Sequence, residues 1–317
     1  MRRMKGIFTD IMLLWFSISN IASGQYFTYV SPYSRTLDKV DAKVGTLPGV
    51  ISVNFLGAAT YVIPVFTSPG SAGMQPDISI IYNSQIKDGI LGIGWSIAGL
   101  SEIHRVPQNY YNDNNVVGVT LQNTDRFALD SNRLILTSSH NYGADNSEFH
   151  TELETFVKVI DHGVAGTGPS WFEVRTKDGK TLEYGNTSDS KVEAYGSSTV
   201  YMWRLNKVAD ASGNTMKYIY NEVNGESYIS RIEYTTNTQA GLNTAYNSLK
   251  FNYYSNPRTD NNIQYVGGSQ IPATKLLSSI RMEREGDTLV REYQFRYTYE
   301  STYDIGSRLN QITEYGS

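Results

Sequence analysis

Short runs of apolar and β-branched residues, separated by Gly, Pro and Asn, fill residues 63–105 and constrain the possible fold more than any other feature. Such runs are typical of strands joined by tight turns. A two-residue period also marks Ile51–Phe55, Asp77–Tyr82, Arg133–Leu136, Phe156–Ile160 and Trp171–Arg175. No window of about 12 residues carries a helical stripe. The sequence therefore predicts an all-β fold of antiparallel sheets and hairpins.

The composition supports this fold and narrows the function classes. The chain has 317 residues, 24 of them Tyr, a residue type that favours half-buried sheet surfaces. Its 27 basic and 31 acidic residues are scattered, so the sequence does not indicate nucleic-acid binding. It contains no Cys, which excludes disulfides, thiolate chemistry and Cys-based zinc sites.

The N-terminus has the outline of a secretory signal peptide. A basic start at residues 1–5 precedes a short apolar core at residues 11–18 and small residues at 22–24. We predict a signal peptide over residues 1–24, a linker or first strand over 25–49, and a β domain over 50–317. The expected localisation is secreted, without a membrane span after cleavage, because the apolar run is shorter than the roughly 20 residues that a span needs.

Two loosely repeated units occur toward the C-terminus. A turn precedes a strand at residues 178–185 and again at 210–220, where Asp, Gly and Asn suit turn positions. Tyr218–Asn221 with Gly225 and Ile229, and Tyr297–Glu300 with Gly306–Thr313, resemble degenerate YD (Rhs) repeats. Repeating strand–turn–strand units predict a sheet that grows by stacking.

The order of residues in the opening stretch resembles the SpvB-type N-terminal domain of bacterial toxins, a family that includes the SpvB virulence protein and the B subunit of Tc insecticidal toxins. The resemblance rests on these residues: Ile63-Pro64, Pro69-Gly70, Ile78–Ser84, Gly89–Trp95 and Ile103-His104-Arg105. It continues through Thr124–Phe127, Tyr142-Gly143, Thr151–Glu154, Gly168–Val174, Asp178-Gly179, Trp203-Arg204-Leu205 and Ser307-Arg308-Leu309.

The resemblance implies a non-enzymatic role in packaging or delivery. In this family the region begins a large β shell, built with YD repeats, that encloses or presents a toxic C-terminal domain. The implied partners are further YD-repeat or β-propeller sequence, or a companion toxin subunit. The chain stops where the family usually continues, so we expect either a fragment of a longer reading frame or completion by a partner chain, which would cover an unpaired edge at residues 316–317.

An enzymatic alternative rests on Glu152-Leu153-Glu154, which matches the Glu-x-Glu motif of ADP-ribosyltransferases. In a strand the two carboxylates would share one face and could hold a nicotinamide ribose. The motif lies within the non-catalytic pattern, however, and the upstream Arg and Ser-Thr-Ser elements are missing. We therefore interpret it as a solvated strand face.

Other chemical motifs are equally sparse. The glycines at 89, 92, 94 and 99 lack phosphate-loop spacing and are better explained as turn residues flanking a buried Trp95. No Gly-x-Ser-x-Gly elbow is present. The histidines, His104, His140, His150 and His162, lack metal-ligand spacing.

Two binding alternatives stay open. Residues 112–115 and 260–262 could offer oxygen ligands to calcium, although as loops they need no ion. Exposed aromatic residues, with Trp171, Trp203 and the Tyr pairs, could form a glycan-binding platform. The interpretation favoured by the sequence assigns no catalytic, cofactor-binding or metal-binding residue and no cofactor.

Overall fold

A computed structural model describes residues 47–258, 260, 263–299 and 306–316 of the chain. The described residues form 21 strands: β1 (Val50–Val53), β2 (Ala59–Pro64), β3 (Ser79–Asn83), β4 (Trp95–Ala98), β5 (Glu102–Val106), β6 (Arg126–Leu129), β7 (Asn132–Leu136), β8 (Glu148–Thr151), β9 (Lys158–Ala165), β10 (Gly168–Arg175), β11 (Thr181–Tyr184), β12 (Lys191–Glu193), β13 (Val200–Ala209), β14 (Thr215–Val223), β15 (Glu226–Thr236), β16 (Asn247–Tyr253), β17 (Gln264–Val266), β18 (Ser269–Ile271), β19 (Leu277–Arg284), β20 (Thr288–Tyr299) and β21 (Ser307–Gly316). The helical elements are one α-helical turn, α1 (Tyr110–Asp113), and 3₁₀ turns at Ser71–Gly73, Ser188–Ser190, Thr238–Ala240 and Glu285–Asp287.

Eight antiparallel strands close into a ring. The strands β5 to β11 pair in sequence order, and β13 then pairs with both β11 and β5 to complete the circuit. Closure leaves these strands without a long open edge, which is one of the ways a sheet avoids unwanted pairing. The interior is filled by buried side chains from successive strands, among them the fully buried Trp203.

Strand β13 belongs to the ring and also starts an open sheet. Its C-terminal half pairs with β14, and the sheet continues through β15, β16, β19 and β20 to β21. Alternating burial along β14 and β15 places apolar and Tyr side chains on the covered face. The period-2 pattern of the sequence is therefore the direct cause of the sheet's two distinct faces.

A separate sheet of β1, β2, β3 and β4 packs against the open sheet. The segment that follows β2 crosses the large sheet and is held by Tyr side chains. The Phe66 N–H donates to the Tyr293 hydroxyl at 3.1 Å, and the Tyr234 hydroxyl donates to the Ser68 carbonyl at 2.8 Å. The Leu277 N–H also bonds the Ile90 carbonyl at 2.8 Å, so the two sheets share one core.

The predicted all-β, antiparallel fold is confirmed. One predicted strand starts later than expected, because Phe156 has a positive φ of 60° and β9 begins only at Lys158. The first YD-like unit lies on β14 and β15 and the second on β20 and β21, apart from Glu300, which lies outside the described residues. The predicted signal peptide over 1–24 and most of the segment 25–49 lie outside the described residues. Within the described part of the chain, no helix is long and apolar enough to cross a membrane.

Candidate functional site

The motif residues at 105, 125 and 203 converge inside the ring. Arg105 is buried, and its guanidinium donates to the Val200 and Gln122 carbonyls at 2.8 Å each and to Asp125 Oδ2 at 3.1 Å. The same guanidinium lies 5.8 Å from the centre of the Trp203 ring. These hydrogen bonds join Arg105 on β5 to Val200 on β13 and to the segment before β6, so the cluster links separate strands of the ring.

The ring interior is completed by aromatic contacts. Phe127 and Phe172 meet the Trp203 ring edge-on, with ring centres 5.4 and 5.0 Å away. The Trp203 Nε1–H donates to the Pro169 carbonyl at 3.2 Å. A Cβ on Gly168 would lie 2.5 Å from the Arg105 guanidinium, which explains the small residue there. The separate sequence motifs are therefore parts of one packing cluster.

The surface with the clearest capacity to bind something is the outer edge of β21. This strand pairs with β20 from Tyr299↔Ser307 to Arg291↔Gly316. The strand order of the large sheet ends there, and no described strand pairs with the other side of β21. An edge strand presents a row of backbone N–H and C=O groups that can template another strand.

An open apolar groove of about 370 Å³ runs beside this edge. The small sheet contributes Tyr61, Ile63 and Trp95, the preceding residue Leu47 closes one side, and residues 309–312 of β21 form the other. The Trp95 ring packs on Tyr82 with ring centres 5.2 Å apart. Our prediction of a buried Trp95 is wrong: the side chain is half-buried, because it lines this open groove.

A buried charge cluster fixes the start of β21. The Asp260 carboxylate accepts the Ser307 N–H and also bonds Arg258 at 2.7 Å. Arg258 donates to the Gly89 carbonyl at 2.9 Å and pairs with Asp88. Burial opposes ionisation of Asp260, but the Arg258 guanidinium and the Ser307 N–H outweigh it and lower the pKa of this carboxyl. β21 therefore begins at a rigid, ionised anchor.

Glycine geometry near this anchor agrees with the turn role that the sequence predicted. Gly92 has φ +80°, and a Cβ there would lie 2.4 Å from the Ser307 carbonyl oxygen. Because the Ile93 N–H donates to that same oxygen at 3.0 Å, the two segments must approach closely. Gly92 allows this close approach because it has no side chain and adopts a positive φ without steric cost.

The Glu-x-Glu residues do not form a paired-carboxylate site. The prediction that they lie on a strand is wrong: β8 ends at Thr151, and both glutamates lie in the following turn. Glu152 accepts the Asn112 side-chain N–H at 2.9 Å, whereas Glu154 caps the turn by accepting the Phe156 N–H at 2.6 Å. Each carboxylate has its own structural partner.

The aspartates of the candidate calcium loops already bind other groups of the protein. Asp113 binds Arg126 at 2.6 Å and also pairs with Arg133. Asp260 is the anchor described above, and residues 261 and 262 lie outside the described residues. Across the ranges that the structure describes, no three His, Asp or Glu side chains form a group suited to a metal ion.

The histidines, and the tryptophans of the sugar-platform alternative, do not form one common site. His104 is buried, and desolvation lowers its pKa, so the neutral ring is favoured. The His162 ring stacks on Trp171 with ring centres 4.2 Å apart. The sugar-platform alternative is wrong for Trp203, which is fully buried.

Comparisons with known proteins identify the family. A profile described as SpvB, "Salmonella virulence plasmid 65kDa B protein", matches residues 53–280. A search of curated proteins finds no match. The solved N-terminal domain of effector protein SpvB from Salmonella typhimurium strain LT2 superposes with TM-score 0.62 and 18% identity, over 80% of this chain and 99% of that chain.

Larger toxin structures contain the same fold. TcdB2-TccC3-Cdc42 superposes with TM-score 0.68 and 18% identity over 81% of this chain. The Photorhabdus luminescens Tc holotoxin pore, with the TccC3-D651A mutation, gives TM-score 0.66 and 15% identity over 87% of this chain. This chain spans only 15% and 16% of the length of those two proteins. Because the SpvB profile matches more than half of the sequence, the chain belongs to the SpvB family.

Proposed function

We propose that this chain is a toxin-associated scaffold without chemistry of its own, which extends its sheet at β21 by pairing with a strand from a larger toxin assembly. The observation that carries this proposal is the outer edge of β21, with which no strand of the described residues pairs, beside an apolar groove. The partner is further YD-repeat or β-propeller sequence, or a companion toxin subunit. The shell so formed would enclose or present a toxic C-terminal domain.

Strand addition suits the chemistry of this edge. The side of β21 that pairs with no described strand supplies main-chain hydrogen-bonding groups, which give affinity without sequence specificity. Alternate side chains of an added strand would point toward the groove between Trp95 and Ile312, which supplies the specificity. The ion-paired anchor at Asp260 holds the template in place before the partner arrives.

The family supports a role in toxin assembly. The related structures carry the names of a Salmonella effector and of Tc toxin complexes, and this fold makes up a small part of the latter. Export fits that role. Secretion, the signal peptide over residues 1–24 and the start of the β domain at residue 50 stay predictions. The YD-repeat identity of the two hairpins also stays a prediction.

The test is co-expression with the polypeptide encoded directly after the Ser317 codon or by the neighbouring reading frame. We expect co-purification with the wild-type chain and loss of the complex in the Leu309→Lys/Ile312→Lys double variant, which places charge in the groove. Val164→Lys is the control, because Val164 is 70% exposed on the ring. Equal recovery with all three chains would overturn the proposed site.

A second assay addresses the absence of chemistry. We expect no NAD hydrolysis by the wild-type chain and no difference on Glu154→Gln, because Glu152 and Glu154 have separate structural partners. Turnover that is lost in Glu154→Gln would replace the scaffold by an ADP-ribosyltransferase-related function. Reproducible binding on a glycan array, lost in Trp171→Ala, would favour the sugar-binding alternative.

A further inference from the structure

The hairpin of β1 and β2 exposes more apolar surface than the rest of its sheet. We call residues 50–57 the apolar hairpin. Its large apolar side chains are exposed by the following fractions: Val50 61%, Ile51 78%, Val53 71%, Phe55 86% and Leu56 65%. Successive strand residues point to opposite faces, so both faces of β1 are apolar. Contiguous apolar surface of this kind marks an interaction site.

The polar groups near the hairpin tip are already paired with each other. The Asn54 side-chain oxygen accepts the Leu56 and Ala58 N–H groups at 3.0 and 2.9 Å. The Asn54 N–H bonds the Ala58 carbonyl at 3.0 Å, and the Gly57 N–H bonds the Asn54 carbonyl at 2.9 Å. The tip can therefore leave water while these hydrogen bonds stay intact. Without them, the transfer of the polar groups out of water would be costly.

The surrounding sequence has no charge. No Asp, Glu, Lys or Arg occurs between Lys43 and Asp77, although 58 such residues occur in the chain. Within β1 and β2, the Ser52 and Thr60 hydroxyls pair with each other at 2.7 Å. The hairpin therefore presents an uncharged apolar surface on a chain of net charge −4.

We propose that the apolar hairpin inserts its tip into the interfacial layer of a neutral, zwitterionic lipid surface. Such a layer surrounds both faces of an inserted hairpin with apolar groups, and it hydrates backbone groups at headgroup level. A protein strand added beside β1 would cover its backbone edge but leave Phe55 and Leu56 in water. The absence of charge matches a zwitterionic surface, whereas the net negative charge of the chain disfavours anionic lipid.

The absence of Cys gives a direct test on the full chain. A single Phe55→Cys substitution, labelled with an environment-sensitive fluorophore, reports the surroundings of the tip. We expect a blue shift and increased emission on adding phosphatidylcholine vesicles, and quenching by brominated acyl chains. The matched control is labelled Val164→Cys, an exposed apolar position on the ring, where we expect no change.

Vesicle charge and tip polarity complete the test. Phosphatidylserine vesicles should give a weaker response, and an added Leu56→Ser substitution should lower the vesicle affinity about tenfold, since one buried apolar side chain is lost. An unchanged label at position 55, or an equal shift at position 164, would overturn the proposal. A shift that grows with protein concentration without lipid would also overturn it, in favour of self-association. All of these measurements report on the apolar hairpin and not on the β21 edge, so their outcome is independent of the proposed function.

Discussion

Arg105 and Asp125 form an ion pair at 3.1 Å whose side chains are 0% and 2% exposed. Burial of a single charge is costly, so removing one partner leaves the other uncompensated. We expect Asp125→Ala to lower the free energy of unfolding by about 3–5 kcal/mol. Urea unfolding followed by circular dichroism measures this loss.

The control for this pair is Arg175→Ala. Arg175 pairs with Glu173 but is 59% exposed, so its removal should cost at most about 1 kcal/mol. Equal losses of unfolding free energy in Asp125→Ala and Arg175→Ala would contradict the prediction that burial makes the Arg105–Asp125 pair the more costly one to break.

A comparison of Gly185 with Gly196 distinguishes the cost of a steric clash from the cost of backbone strain. Both have positive φ, +72° and +70°, but a Cβ on Gly185 would lie 2.4 Å from Trp203 Cδ1, whereas a Cβ on Gly196 has no neighbour within 4 Å. Gly196→Ala should therefore cost about 1–2 kcal/mol, the strain of a left-handed alanine. Gly185→Ala should cost clearly more, because the Trp203 indole must move.

Urea midpoints and Trp fluorescence check the glycine prediction. The emission maximum should move in Gly185→Ala and stay constant in Gly196→Ala. Equal stabilities in the two variants would contradict the close packing of Gly185 on the indole.

Ionisation of Asp161 should lower the free energy of unfolding as the pH rises. Burial, aided by the nearby Asp145 charge, raises its pKa to about 7, although its Oδ1 accepts the Ser147 N–H at 2.8 Å. Because the folded-state pKa exceeds the unfolded value, the stabilisation is complete below about pH 4 and is lost as the pH rises through 7.

Asp161→Asn provides the comparison. Its stability should lack this pH-dependent decline, so the difference between the free energies of unfolding of the two chains should change steadily between pH 4 and 8. Parallel curves over that range would contradict a raised pKa at Asp161. Asp145→Asn, which removes a neighbouring charge, should shift the decline to lower pH.

Asp260→Ala should loosen the start of β21. The substitution removes the acceptor of the Ser307 N–H and one partner of the buried Arg258. Amide hydrogen exchange at residues 307–309 should accelerate on the order of tenfold or more. Asp287→Ala, which removes an exposed partner of Arg231, should leave exchange in β21 unchanged.

The local pattern predicted strands well, because alternation of apolar residues directly determines which face of a sheet is buried. It placed Arg133–Leu136 and Trp171–Arg175 within β7 and β10. It was wrong at Phe156 and at Glu152–Glu154, where a left-handed backbone and side-chain caps form a turn. Such contacts depend on geometry that periodicity does not encode.

The candidate site was only partly predictable. The last strand-like segment predicted a terminal strand, and no described strand pairs with the outer side of β21. The groove, however, requires Trp95 and Ile312, which lie far apart in sequence. Closure of the ring similarly depends on pairing between β11 and β13, with Tyr184 opposite Leu205. Long-range pairing of this type is set by the whole core, so one sequence read locally does not reveal it.

Because β13 belongs to both the closed ring and the open sheet, the two parts should respond differently to mechanical load. Tension applied at Gly316 would peel β21, β20 and the preceding strands away one at a time, each needing only a few hydrogen bonds to break. At β13 the strand is held on both sides by the ring, and many bonds must fail together. Under such a load we therefore expect the open sheet to unfold first, from β21 inward, while the ring stays folded.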